Sequence, residues 1–207
     1  MLSDVRLKYV NIAILLVFTL LAGCATAPHA SNGFVRPAQV MLPLDTTSLE
    51  PGLAVLYFDK IFVRHLDALP QGEDAQERGR PGAPIPYLNH QFGRSPIFDS
   101  GTNRGLGMEI SGYIRIDRPG TYGFQANSND GFRLYIDGRL LVDDPNWHAD
   151  QLSPEARLPI TTPGWYSLRA RYFQRKGTAT IQLYWQPPGE EGFSIVPAKV
   201  LAHQQPY

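Results

Sequence analysis

From about residue 51 onward, apolar side chains recur at every second position. Tyr122, Phe124 and Ala126 alternate with Gly123, Gln125 and Asn127, and Phe132, Leu134 and Ile136 alternate with Arg133 and Tyr135. A period of two is the mark of a strand with one buried face. The polar run Asn127-Ser128-Asn129-Asp130-Gly131 separates these two strands, so it belongs at one end of the fold. Asp137-Gly138 predicts a two-residue hairpin turn, because both central positions of such a turn need positive φ. Residues 140–142 then return as the partner strand. The same pattern marks Val55, Tyr57, Ile110, Ile114, Leu168, Tyr172, Ile181, Leu183 and Trp185 as core. Trp165 and Phe173 fall on the opposite parity of their strand and are expected on its other face. Residues 195–201 are expected to close the sheet, with a kink at Pro197. The fold class this predicts is all-β, an antiparallel β-sandwich or barrel-like sandwich of roughly eight to eleven strands.

The N-terminal pattern differs. Arg6 and Lys8 precede an apolar run over residues 12–21, which ends in Leu21-Ala22-Gly23-Cys24. That run is about half the ~20 residues needed to cross a bilayer and fits the h-region of an export signal. The tetrad resembles a bacterial lipobox, in which the thiol is diacylated and the peptide is cut just before it. The resemblance implies a signal peptide over residues 1–23, cleavage after Gly23, and lipidation of Cys24. Ala25 after the cysteine implies the outer membrane, with acyl chains as the anchor to the bilayer. Cys24 is the sole cysteine of the 207-residue chain, which leaves no internal disulfide to form. Residues 24–50 carry Pro28, Pro37 and Pro43 and little periodicity, and read as a flexible tether.

The 19 basic and 19 acidic residues balance and are interspersed, so the basic footprint of a nucleic-acid binder is missing. With 19 Gly and 18 Pro, turns should be frequent. Residues 67–86 form a polar insertion, expected to be a surface loop with one helical turn near Asp74 to Arg78. Its other reading is a lid or partner-docking loop.

The ordered series Gly120-Thr121-Tyr122, Ser128-Asn129-Asp130-Gly131, Ile136-Asp137-Gly138, Pro163-Gly164-Trp165-Tyr166 and Gly177-Thr178-Ala179 resembles the protective-antigen-like ("PA-fourteen") β-sandwich domain. The resemblance covers most of residues 51–203. It implies a domain that in some members binds carbohydrate through a calcium ion, held by two consecutive Asp residues often joined by a cis peptide. Here that place is taken by Asn129-Asp130, the two candidate metal ligands. Asn129 removes one charge, and the facing turn carries Arg175 and Lys176, which oppose a divalent ion. Asx side chains also stabilise turns by capping their own backbone, which accounts for the same motif without a ligand.

The carbohydrate-binding candidates are Asn127, Asn129, Asp130, Gln174, Arg175 and Lys176. The two cations suit an acidic glycan, a uronic acid or a lipopolysaccharide phosphate. Trp147, in the loop from Asp143 to His148, either stacks on a sugar or plugs the end of the core. Asp99-Ser100-Gly101 resembles an aspartic-protease triplet, but that chemistry needs two carboxylates sharing a proton and no second copy is present. No metal-ligand spacing of His, nucleophile elbow or phosphate loop occurs. The expectation is therefore a non-catalytic glycan-binding lipoprotein. A protein-interaction or structural module of an envelope assembly is the alternative.

Overall fold

The computed structural model describes residues 46–204. The signal peptide, the cleavage after Gly23 and the lipidation of Cys24 lie outside those residues, as does most of the tether.

The strands run in the order β1 (Leu49–Pro51), β2 (Ala54–Phe58), β3 (Arg80–Pro81), β4 (Asn89–Gly93), β5 (Leu106–Ile116), β6 (Gly120–Asn129), β7 (Phe132–Ile136), β8 (Arg139–Asp144), β9 (Gln151–Leu152), β10 (Ala156–Ile160), β11 (Gly164–Gln174), β12 (Ala179–Gln186), β13 (Ser194–Ile195) and β14 (Leu201–Gln204). All named pairings are antiparallel. One sheet has the order β1-β14-β5-β11-β7-β8, with β2 on β5 and β3 on β2. The other has the order β10-β6-β12-β13, with β4 on β12 and β9 on β6. The sandwich expected from the alternation is the architecture found, and β1, β3, β9 and β13 are short additions of two or three residues. Leu49 and Glu50, assigned to the tether, belong to β1 and pair with Gln204 and His203. The C-terminal closure also runs further than expected, because β14 lies between β1 and β5.

The buried parity of β5, β7 and β11 meets that of β6 and β12 in one core. Met108, Ile110, Phe132, Leu134, Leu168 and Tyr172 face it from the first sheet. Tyr122, Phe124, Ala126, Ile181 and Leu183 close it from the second. Trp185 is only partly buried against this core. The Asp137-Gly138 turn has φ of 53° and 70°, the left-handed pair that a two-residue hairpin demands.

The insertion is more than a surface loop. Helix α1 (Gly72–Arg78) and the turn before it lay Leu66, Leu69 and Ala75 over the outer face of the first sheet. There they form a second, smaller core with Phe58, Ile61 and Phe173. This explains the odd parity of Phe173, whose ring faces the insertion and not the sandwich interior. Burying a Leu or Phe side chain is worth about 1.5–3 kcal/mol, so these contacts hold the insertion down. Arg171, 3% exposed, fastens it further by donating to the carbonyls of Leu69 and Pro70 at 3.3 and 2.7 Å. Glu109 lies 3.5 Å from the Arg171 guanidinium and supplies the counter-charge. Trp165, also on the outward parity, is half-buried with the Arg115 guanidinium 5.8 Å from its ring centre.

Candidate functional site

At one rim, three segments meet: the end of β6 with Asp130 and Gly131, the loop after β8, and the β11–β12 hairpin. The peptide between Asn129 and Asp130 is cis. The loop is tied to β11 by reciprocal main-chain bonds, Asp130 N–H to Phe173 O at 3.1 Å and Phe173 N–H to Gly131 O at 3.2 Å. The buried Tyr172 hydroxyl donates to Asn129 O at 2.5 Å. Gly131 is required by close approach, since a Cβ there would lie 2.6 Å from Phe173 Cε1 and 2.9 Å from the Pro145 carbonyl carbon.

Asp130 is 1% exposed. Its Oδ2 accepts the main-chain N–H of Arg175 at 2.7 Å, whereas its Oδ1 has no hydrogen-bond partner. Burial raises its pKa above the ordinary 3.8, and two main-chain N–H groups pull it back in part: that of Arg175, which is hydrogen-bonded, and that of His148, which is near the carboxylate without meeting hydrogen-bond geometry. An acceptor left unpaired inside a protein costs its full desolvation, about 1–3 kcal/mol. Asp130 also lines an open cleft, and a ligand donor that reached this enclosed oxygen would recover that cost.

That cleft encloses about 330 Å³ and is lined by Asn129, Asp130, Trp147, His148, Lys176 and Thr178, among others. Trp147 is 50% exposed and does not plug the core. Residues 64–66 run beside residues 145–147, through Trp147 N–H to Arg64 O at 3.0 Å and Leu66 N–H to Pro145 O at 2.9 Å. This brings the Arg64 guanidinium within 5.4 Å of the Trp147 ring centre, and Arg175 approaches it at 5.5 Å. Each is within cation–π range. Arg175 Nε also donates to Phe62 O at 3.3 Å. His148 Nδ1 donates to Ala149 O at 2.6 Å, and its Nε2 lies 3.2 Å from Asp144 Oδ1.

Of the six candidate sugar contacts, the structure brings Asn129, Asp130 and Lys176 to this cleft, with Arg175 at its edge. It does not bring Asn127 or Gln174. Asn127 lies on the outer face of the second sheet, in a polar ladder with Gln182 (2.9 Å) that continues to Asn89 (2.8 Å). Gln174 is fully buried and donates to Thr178 O at 2.7 Å, closing its own hairpin. Sequence reasoning missed Arg64 and Asp150, both brought in by tertiary contacts without a local signal, and took Thr178 only as part of the Gly177-Thr178-Ala179 series.

The donor set does not fit the calcium ion that the resemblance implied. Calcium takes six to eight oxygens. The Asn129 amide nitrogen donates to Asp150 Oδ1 at 2.9 Å and to Thr178 Oγ1 at 3.3 Å, which fixes the amide plane and leaves Asn129 Oδ1 out of these bonds. Asp150 is committed further by Thr180 Oγ1 at 2.9 Å. One unpaired carboxylate oxygen and the Asn129 amide oxygen remain among the side chains of a cleft that Lys176 also lines, well short of the set the ion takes. Among the described residues, no group of three or more His, Cys, Asp or Glu gathers around a metal position.

The protease-like triplet has a structural role. Asp99 Oδ1 accepts the Tyr57 hydroxyl at 2.6 Å and its Oδ2 accepts the Ala83 N–H at 2.8 Å, pinning the end of the insertion to β2.

The PA14 domain family profile matches residues 89–199, more than half of the chain. No curated protein matches. Among solved structures, the chain is similar to an anti-sigma factor domain-containing protein from Clostridium clariflavum, at 22% identity and a TM-score of 0.60. That match covers 76% of this chain but 49% of the other, so the chain spans about half of that protein. A PA14 sugar-binding domain from an RTX adhesin matches at 13% identity and a TM-score of 0.55, over 74% of this chain and 98% of the other. The A domain of epithelial adhesin 9 from Candida glabrata, in complex with Galb1-4GlcNAc, matches at 12% identity and a TM-score of 0.61. That match covers 82% of this chain and 96% of the other.

Proposed function

Since the chain belongs to the PA14 domain family, we propose that it is a non-catalytic glycan-binding module, held at a bacterial outer membrane through an acylated Cys24. The observation that carries this reading is the buried Asp130 carboxylate. One of its oxygens is fixed by the hairpin and the other is enclosed and unpaired, in a residue that lines a cleft beside a half-exposed Trp. Sugars present hydroxyl donors and apolar C–H faces together, and those are the two things this cleft can receive. The adhesin domains of the same fold, one a sugar-binding domain and one in complex with a disaccharide, support the reading.

Recognition proceeds without calcium, through Asp130, Trp147 and the hairpin cations. A glycan array probed with the full chain in detergent, with and without a chelator, tests both halves. Binding of a defined set of saccharides that survives chelation is expected. If the folded chain binds none, the reading fails.

A second reading, a protein-interaction module of the envelope, is favoured by one feature. A groove of about 870 Å³ runs between the insertion and the outer face of the first sheet, lined by Gln71, Gln76, Pro81, Glu109 and Arg169. Photocrosslinking from position 76 in whole cells tests it. A specific adduct of fixed mass is expected under that reading, and no adduct counts against it.

A further inference from the structure

We propose that the rim cleft selects an acidic sugar, a carboxylate-bearing pyranose within a polysaccharide, gripped at two ends; this rests on the glycan-binding reading above. At the inner end, Asp130 Oδ1 is unpaired and enclosed. An ionised carboxylate can only accept, so the ligand must bring a donor, and a sugar hydroxyl is one. At the outer end stand cations without anionic partners. Lys176 is exposed and lines the same cleft. The Arg175 guanidinium meets the Phe62 carbonyl and the Trp147 ring, and the Arg64 guanidinium approaches the same ring. Among the described residues, no carboxylate lies within ion-pair distance of Arg64, Arg175 or Lys176.

A ligand with a donor at one end and an anion at the other matches this polarity. A free amine or metal ion would satisfy Asp130 but would be repelled by the rim cations. A neutral sugar would satisfy Asp130 and Trp147 but leave the cations unused. A sugar carboxylate forms charge-assisted hydrogen bonds with them, the stronger class of polar contact. Trp147 supplies the wall on which the ring rests. A phosphate shares the anionic chemistry, so phosphorylated and carboxylated saccharides are separate arms of the test.

The probes are tetragalacturonate, the same oligosaccharide with its carboxyls methyl-esterified, a phosphorylated oligomannose and neutral N-acetyllactosamine, with dextran sulfate as a charge control. The full chain in detergent micelles is titrated with each at 0.15 M NaCl in the presence of chelator. Binding to the free acid is expected, weakened at least tenfold by esterification and at least tenfold by Lys176→Ala or Arg175→Ala. Arg175→Ala retains the main-chain N–H on Asp130, so it leaves the anchor of that carboxylate in place. A chain that binds the ester as well as the acid, or whose affinity for the acid survives both substitutions, overturns the proposal. So does preference for the phosphorylated sugar, or binding that follows charge density on dextran sulfate. Binding of neutral sugars alone would overturn it while leaving the glycan-binding reading in place. A folded chain that binds no saccharide would overturn both.

Discussion

Arg175 and Asp130, 45 positions apart, are joined by the Arg175 main-chain N–H donating to Asp130 Oδ2 at 2.7 Å. One residue thus fixes the buried carboxylate with its backbone and offers its guanidinium to the rim with its side chain. The Asp130 loop and the cationic hairpin tip are consequently one structural unit.

The Asp130→Asn substitution separates binding from folding. The amide oxygen still accepts from Arg175, and the charge is gone. Saccharide affinity is expected to fall at least tenfold. The melting temperature at pH 7 is expected to stay level or rise, because ionised Asp130 is disfavoured in the folded chain: burial raises its pKa above 3.8. The sign follows from linkage. Below 3.8 both folded and unfolded forms are protonated. As pH rises through the raised folded value, the unfolded chain loses its proton more readily and wild-type stability falls. The advantage of the variant should therefore grow with pH over that window, read by thermal melts from pH 3 to 7.

Gly131→Ala places a methyl group 2.6 Å from Phe173 Cε1 and 2.9 Å from the Pro145 backbone. A loss of about 1–3 kcal/mol in urea unfolding is expected, the usual cost of overpacking. Saccharide affinity should fall with it, because the Asp130 loop is displaced.

Arg171→Ala removes the donor from the carbonyls of Leu69 and Pro70. Each carbonyl left buried and unpaired costs about 1–3 kcal/mol. Limited proteolysis is expected to cut between residues 66 and 78 first, with the sandwich surviving as a protected fragment. Simultaneous digestion of the whole domain would show that the insertion is not a separable cover.

Calcium at millimolar concentration is expected to leave the melting temperature unchanged, since a site-bound ion would raise it by mass action. A rise that saturates with added calcium, and is lost in Asp130→Asn, would restore the metal to the site.

Cys24→Ala is expected to abolish labelling by radioactive palmitate in a Gram-negative host and to release the chain from the membrane pellet. Retained labelling would refute the anchor.

The strands were legible because their signal is local. Phe132, Leu134 and Ile136 alternate within five residues, and the structure buries each of them. The Asp137-Gly138 turn was legible for the same reason. The insertion was not, because Leu66 and Leu69 are buried with Phe173, on a strand about a hundred positions later, as well as with the nearby Phe58. Asp130 was legible as a motif residue, but its half-satisfied state depends on a hairpin that closes 45 positions later. Gln174 has the polarity of a surface contact and is buried, since its amide serves Thr178 O within its own turn. Arg64 reaches the site only through an isolated bridge between His65 and Asn146, which no periodicity announces.

The pairing of Leu49 with Gln204 gives the module a mechanical character. The start of the edge strand β1 and the end of its neighbour β14 therefore lie side by side. Tension between those two points would peel the short ladder open one rung at a time, at low force, while a load carried from residue 49 to the rim would run through the long central strands.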